Sequence, residues 1–211
     1  MNRLIAALVC VTALAACSTQ EPQDLGQPVG IPGAPSTSTP PLNSSSSVTL
    51  ADTYEALYSC DAVSSTKPSD LPPITLPCMD GSGNVDATFV KGPLAVTIWA
   101  SWCVPCKREL PAFVAVNSKL RSAGYPARIL GLNWLDDPEQ AVAAAQEWGI
   151  NFPSLHDGDA LMRAPLGINA QPATLFIDAS GRVVHVERGP IDTEAELLAK
   201  LRQFLGVEVT A

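Results

Sequence analysis

The chain has 211 residues, 46% of them apolar, and a formal net charge of −8. That length suits one domain with a sizeable core, or at most two small ones. The negative charge argues against nucleic acid, whose phosphates would repel it.

Residues 1–16 read as a targeting segment. Arg3 supplies a positive start, and Leu4 to Ala13 is apolar but too short to span a bilayer as a helix. Leu14-Ala-Ala-Cys17 resembles a bacterial lipobox, which implies cleavage before Cys17 and its diacylation. Two acyl chains would anchor the chain stably. An ordinary signal peptide cut near Ala16, with Cys17 incidental, is the alternative. Residues 17–48 read as a linker rich in Pro, Ser and Thr, as in Pro35-Ser-Thr-Ser-Thr-Pro-Pro41. It carries too few large apolar side chains to offset its ordering entropy, and its prolines extend its reach. Residues 49–211 are the expected folded domain.

Thr49 to Val63 has helical spacing, with Tyr54, Leu57 and Tyr58 on one face and Cys60 near its end. Leu71 to Asn84 reads as a hairpin arm turning at Asp80-Gly-Ser-Gly83, with Val85 to Val90 as the returning strand. Leu94 to Ala100 is a buried strand. A helix follows from Val104 to Ala123, with Pro111 expected to bend it. Ala127 to Trp134 is the next strand. Asp136-Asp-Pro-Glu139 starts a helix that runs to Trp148 and stops at Gly149. Phe152 to Leu155 is a short extended piece, and Asp159 to Leu166 a short helix ended by Gly167. Ala173 to Asp178 and Arg182 to Arg188 pair as antiparallel strands at the sheet edge. Asp192 is expected to cap a last helix, Thr193 to Leu205. The class is α/β.

The chemistry concentrates in Trp99-Ala-Ser-Trp-Cys-Val-Pro-Cys-Lys-Arg-Glu109. Cys103 falls where a strand hands over to a helix. Free N–H groups and the helix dipole there favour a thiolate over a thiol. Cys103 is therefore the expected exposed nucleophile. Cys106, one turn on, can close a ring with it, and Pro105 lies in the first turn, where its missing N–H costs little. Glu109 can share a helix face with both cysteines. From spacing alone, an exposed Glu balancing Lys107 or Arg108 fits equally well. Trp99, Trp134 and Trp148 read as core, and His156 and His185 as structural. No metal or cofactor is expected.

This run resembles the active site of the thioredoxin superfamily, Trp-Cys-x-x-Cys. It is most similar to the extracytoplasmic TlpA/ResA/DsbE(CcmG)-like branch, matching it at Trp102, Cys103, Pro105, Cys106, Lys107, Arg108, Glu109 and Pro111. The resemblance covers roughly Leu71 to Leu205. It implies a thioredoxin fold: a central mixed sheet flanked by helices, with an N-terminal β-hairpin and a central αβ insertion. It implies a thiol-disulfide oxidoreductase in which Cys103 attacks a partner disulfide and Cys106 resolves the mixed disulfide. It further implies Glu109 as proton acceptor, Pro172 as a cis-proline exposing the Gln171 backbone to a bound peptide, and Trp102 as an apolar lid. Thr97 is a departure, since cytoplasmic thioredoxins place a buried acid there; proton handling would fall to Glu109. Branch members commonly reduce the cysteines of apocytochrome c, fed by a membrane electron donor of the DsbD/CcdA type. The protein is then expected to be a monomer, anchored by lipidated Cys17 to the outer face of the cytoplasmic membrane and acting on exported protein thiols and disulfides.

The six cysteines then sort themselves. Cys10 leaves with the signal, Cys17 takes lipid, and Cys103 and Cys106 are the redox pair. In an oxidising compartment the remaining Cys60 and Cys78 are expected to bond, clamping the N-terminal helix to the sheet. A structural staple is the simpler account; a second redox centre is the alternative. Two other activities compete. One is a disulfide-donating oxidase using the same dithiol. The other is a copper-binding or copper-site module, which the tight C-x-x-C spacing disfavours. A thiol peroxidase would want a Thr-x-x-Cys site, and Thr97 is too far upstream to supply it.

Overall fold

The computed structural model describes residues 60–125 and 128–208. A small antiparallel hairpin comes first, β1 (Thr75–Pro77) with β2 (Asn84–Asp86). Five further strands form the main sheet: β3 (Leu94–Trp99), β4 (Arg128–Trp134), β5 (Ser154–Asp157), β6 (Ala173–Ile177) and β7 (Val183–Arg188). Their spatial order is β5-β4-β3-β6-β7. Central β3 runs parallel to β4 and antiparallel to β6, so the sheet is mixed. Helices α1 (Val104–Ser122), α2 (Pro138–Glu147), α3 (Arg163–Leu166) and α4 (Glu194–Leu205) complete the fold.

All six residues of β3 are buried, which accounts for its unbroken apolar run. Strand periodicity still divides them. Leu94, Val96 and Ile98 pack with Leu76 and Val85 of the hairpin. Ala95 and Trp99 pack with Leu110, Phe113, Val116 and Leu120 of α1 and with Leu197 and Leu201 of α4. Each of these α1 side chains contributes roughly 1.5–3 kcal/mol by leaving water. Thr97 shares the alternation of Ala95 and Trp99, which is what brings it under α1.

Several boundaries differ from the sequence reading, each for a local reason. Only Asn84–Asp86 of the returning strand forms. The Asp86 carboxylate then accepts the Thr88 N–H at 2.9 Å and caps a 3₁₀ turn, Ala87–Phe89. The extended piece lies at Ser154–Asp157, paired with β4, and not at Phe152 to Leu155. The short helix begins at Arg163, because the Asp157 carboxylate takes the N–H groups of Leu161 and Met162 and holds a turn there. Thr193, not Asp192, caps α4: its hydroxyl accepts the Glu196 N–H at 3.2 Å, in capping-box spacing. The helix expected from Thr49 lies outside the described residues up to position 59, and its end is a 3₁₀ turn, Cys60–Val63. The Gly92–Pro93 peptide is cis, a feature no sequence signal gave. A Cβ at Gly92 would fall on the Asp178 carbonyl, so only glycine fits.

Candidate active site

The dithiol forms where β3 ends. Cys103 is the N-cap of α1, in extended backbone (φ −84°, ψ 98°), and its Sγ accepts the N–H of Cys106 at 3.2 Å. That bond answers one of the donors a helix start leaves open. The Cys103 N–H donates to the Ala100 carbonyl at 3.1 Å, which tightens the turn out of the strand. Cys103 and Cys106 are joined as a disulfide, with their Cα atoms 5.2 Å apart.

Cys103 is only 4% exposed and Cys106 fully buried, which corrects the expectation of an exposed nucleophile. With the bond closed, both side chains belong to the apolar cluster of Trp99, Ala100 and Leu110. The exposed rim is made by Trp102 and Val104 instead, at 57% and 76%. Trp102 is held in place, its indole N–H donating to the Leu135 carbonyl at 2.8 Å. Trp99 and Trp134 are core residues, and Trp148 packs edge-on against Trp99.

Glu109 is fully buried on α1. The Thr97 hydroxyl donates to its Oε1 at 3.3 Å, and the Ile191 N–H donates to its Oε2 at 2.9 Å. Burial pushes its carboxyl up to about 8, against the opposing pull of those two hydrogen bonds; Asp192 adds to the rise and Arg108 opposes it. The reading of Glu109 as a surface partner of Lys107 or Arg108 is thereby excluded. Lys107 pairs with Glu147 at 2.7 Å and Arg108 with Asp192 at 3.1 Å.

The Gln171–Pro172 peptide is cis and enters β6. Gln171 and Pro172 line a depression of about 520 Å³ together with Pro105 and Arg108 from α1. Three of the expected partner-binding residues, Pro105, Gln171 and Pro172, thus converge; Trp102 is not among those lining it. Cys60 and Cys78 form a buried disulfide, with Cα atoms 6.1 Å apart. It ties the 3₁₀ turn to the hairpin, next to the Cys78–Leu155 bridge that joins the hairpin to β5. The Asp80 carboxylate lies within 4.8 Å of both sulfurs. Sulfurs bonded to one another offer no thiolates to a metal. Cys17 lies outside the described residues. His156 bonds Asn133 at 2.8 Å, and His185 stacks on Phe204.

Sequence reasoning missed the clamp on the Cys loop. The Asp136 carboxylate accepts the Ser101 N–H at 2.5 Å, the Ser101 hydroxyl at 2.6 Å and the Asn133 amide at 2.8 Å. An acid two residues after a strand end is the available sign, but it also fits a helix start. Thr97 carried a sign too, as the one polar side chain in an otherwise apolar strand.

A central strand running into a helix capped by the first of two bonded cysteines, with a cis-proline beside them, defines a thioredoxin-fold dithiol protein. The comparisons place it further. The AhpC/TSA family matches residues 69–186, and the chain belongs to that family. The thiol:disulfide interchange protein DsbE of Pseudomonas fluorescens is 33% identical over 143 residues, covering 64% of this chain and 75% of that one. The DsbE of Allochromatium vinosum is 32% identical over 100 residues, covering 47% of this chain. The match spans about half of that relative's length, at 52%. The structure of MTB DsbF in its mixed oxidized and reduced forms is similar at a TM-score of 0.57 and 25% identity, covering 66% of this chain and 99% of that one.

Proposed function

We propose that this protein is a thiol-disulfide oxidoreductase for exported proteins, working as a reductant. The observation that carries the reading is the Cys103–Cys106 bond at the N-terminus of α1. In the reduced protein the Cys103 thiolate attacks one sulfur of a partner disulfide. A Cys103–partner bond forms, the partner's S–S bond breaks, and one partner thiolate leaves. Cys106 then attacks the Cys103 sulfur, the ring closes, the mixed disulfide breaks, and two electrons have passed to the partner. Pro105, Gln171 and Pro172 would seat the partner chain, with Trp102 at the rim. The relatives' name, thiol:disulfide interchange protein, supports this chemistry.

Glu109 would take and return the Cys106 proton. Its burial supports this, since a carboxyl that titrates at about 8 exchanges a proton near neutral pH. The sulfur environment supports the reductant direction. Cys103 Sγ has one hydrogen bond, from a backbone N–H, and among the described residues no basic side chain bonds either sulfur. With no basic side chain beside the sulfurs, the helix start alone would stabilise the Cys103 thiolate of the reduced form, less than a strong oxidant needs, and the dithiol would give up electrons more readily.

The remaining parts follow the resemblance. Residues 1–16 would be a lipoprotein signal, 17–48 a tether from lipidated Cys17, and 49–211 the working domain outside the cytoplasmic membrane. Apocytochrome c would be a substrate, and a DsbD/CcdA-type membrane protein the electron source. Cys60–Cys78 would be a structural staple. The test is trapping. Reduced Cys106→Ser protein, mixed with a disulfide-bonded Cys-x-x-Cys peptide, is expected to accumulate a mixed disulfide at Cys103, read by mass. Cys103→Ser should trap none. Equal trapping by both, or by neither, contradicts the mechanism.

A further inference from the structure

The depression beside the cysteine pair has a charge opposite to that of the chain. The protein carries −8, yet no carboxylate lines this groove and two guanidinium groups do, Arg108 and Arg188. They come from different elements. Arg108 lies on α1, two positions after Cys106. Arg188 ends β7, in register with Ala173, directly after the Gln171–Pro172 loop. Arg108 gives only its Nε to Asp192 and keeps 60% of its side chain exposed. The exposed Arg188 side chain makes no hydrogen bond or ion pair among the described residues. The nearest acid along β7, Glu187, is taken by Lys200 and His185. The rest of the lining is largely apolar, including Pro105, Pro172 and Pro190.

We propose that this groove selects partner segments carrying an acidic side chain close to the reacting cysteine, received by Arg188 and Arg108. This rests on the disulfide-exchange reading above and names the substrates that site prefers. A guanidinium fork matches a carboxylate in two parallel hydrogen bonds, and Arg188 has its fork free. The extended partner chain lays its apolar side chains on the prolines while its acid meets the rim. Because both arginines are exposed, the charge acts mainly on the rate of productive encounter, and salt screens it.

The full chain, reduced with dithiothreitol and desalted, is mixed with three disulfide-bonded Cys-x-x-Cys peptides. They differ only at the two flanking positions, which are Glu, Gln or Lys. The Glu peptide is expected to react about tenfold faster than the Lys peptide at low salt, with Gln between. The gap should close at about 0.5 M salt. Arg188→Gln and Arg108→Gln should each narrow the Glu-to-Lys ratio. An inactive fraction scales all three rates together, so misfolding cannot imitate that change. Equal rates, or Lys fastest, overturn the charge selection and leave the exchange reading standing. If none of the three peptides reacts, both fall.

Discussion

The Thr97 hydroxyl on the central strand donates to Oε1 of Glu109 on the first helix, 3.3 Å away and twelve residues on. A strand with no exposed face and a fully buried carboxyl therefore meet, three positions along α1 from Cys106. Glu109 titrates at about 4.5 when unfolded and about 8 when folded. Between those values the folded state holds one proton more. Stability from this group is thus fullest below about 4.5 and falls as pH rises through about 8, by up to about 5 kcal/mol. Glu109→Gln removes the titration and should flatten the slope of denaturant midpoint against pH across that window. Thr97→Val removes a donor to the charged form and should move the transition to higher pH. Identical slopes in wild type and Glu109→Gln would refute this.

Asp136 ties the cysteine loop to the end of β4 through both the backbone and side chain of Ser101. Hydrogen bonds to a charged group contribute about 1.5–3 kcal/mol each, and losing the acceptor leaves the Ser101 N–H unanswered. Asp136→Ala should lower unfolding free energy by about 2–3 kcal/mol and slow disulfide exchange, because Cys103 follows Ser101 by two residues. Urea unfolding and peptide-exchange rates on the same preparation check both effects. Unchanged exchange would mean that the clamp serves stability alone.

Cys60 and Cys78 close a loop with a sequence separation of 18. Chain-entropy arguments give such a link about 3 kcal/mol. The double variant Cys60→Ser, Cys78→Ser should therefore melt earlier while keeping the exchange rate of the Cys103–Cys106 pair. A collapse of exchange in a variant that remains folded would make the second pair a redox partner.

Much of the site was legible because its logic is local. A strand followed by Trp-Cys-x-Pro-Cys places Cys103 at the helix cap within a few residues, and periodicity gives α1 its buried face. What stayed hidden crosses the chain. Glu109 could not be told from a surface acid until β3 packed Thr97 beneath it. Asp136 and Ser101 are 35 positions apart and meet only because β3 and β4 lie side by side. Arg108 and Arg188 reach one groove through α1 and the last strand. The cap of α4 was missed by a single residue, since Asp192 and Thr193 are both capable caps and only backbone geometry chooses between them. The buried state of Cys103 was missed because helix-cap chemistry describes the thiolate and not the closed ring.

The proposed reductant role rests on a closed Cys103–Cys106 ring whose Cys103 sulfur has a single backbone donor and an apolar surround. The reduction potential of the Cys103–Cys106 couple in the full chain, equilibrated against glutathione or dithiothreitol buffers, tests it most directly. The predicted result is a value near or below that of thioredoxin, about −270 mV. A value near −120 mV, that of a strong disulfide donor, would contradict it and make the protein an oxidant of exported thiols.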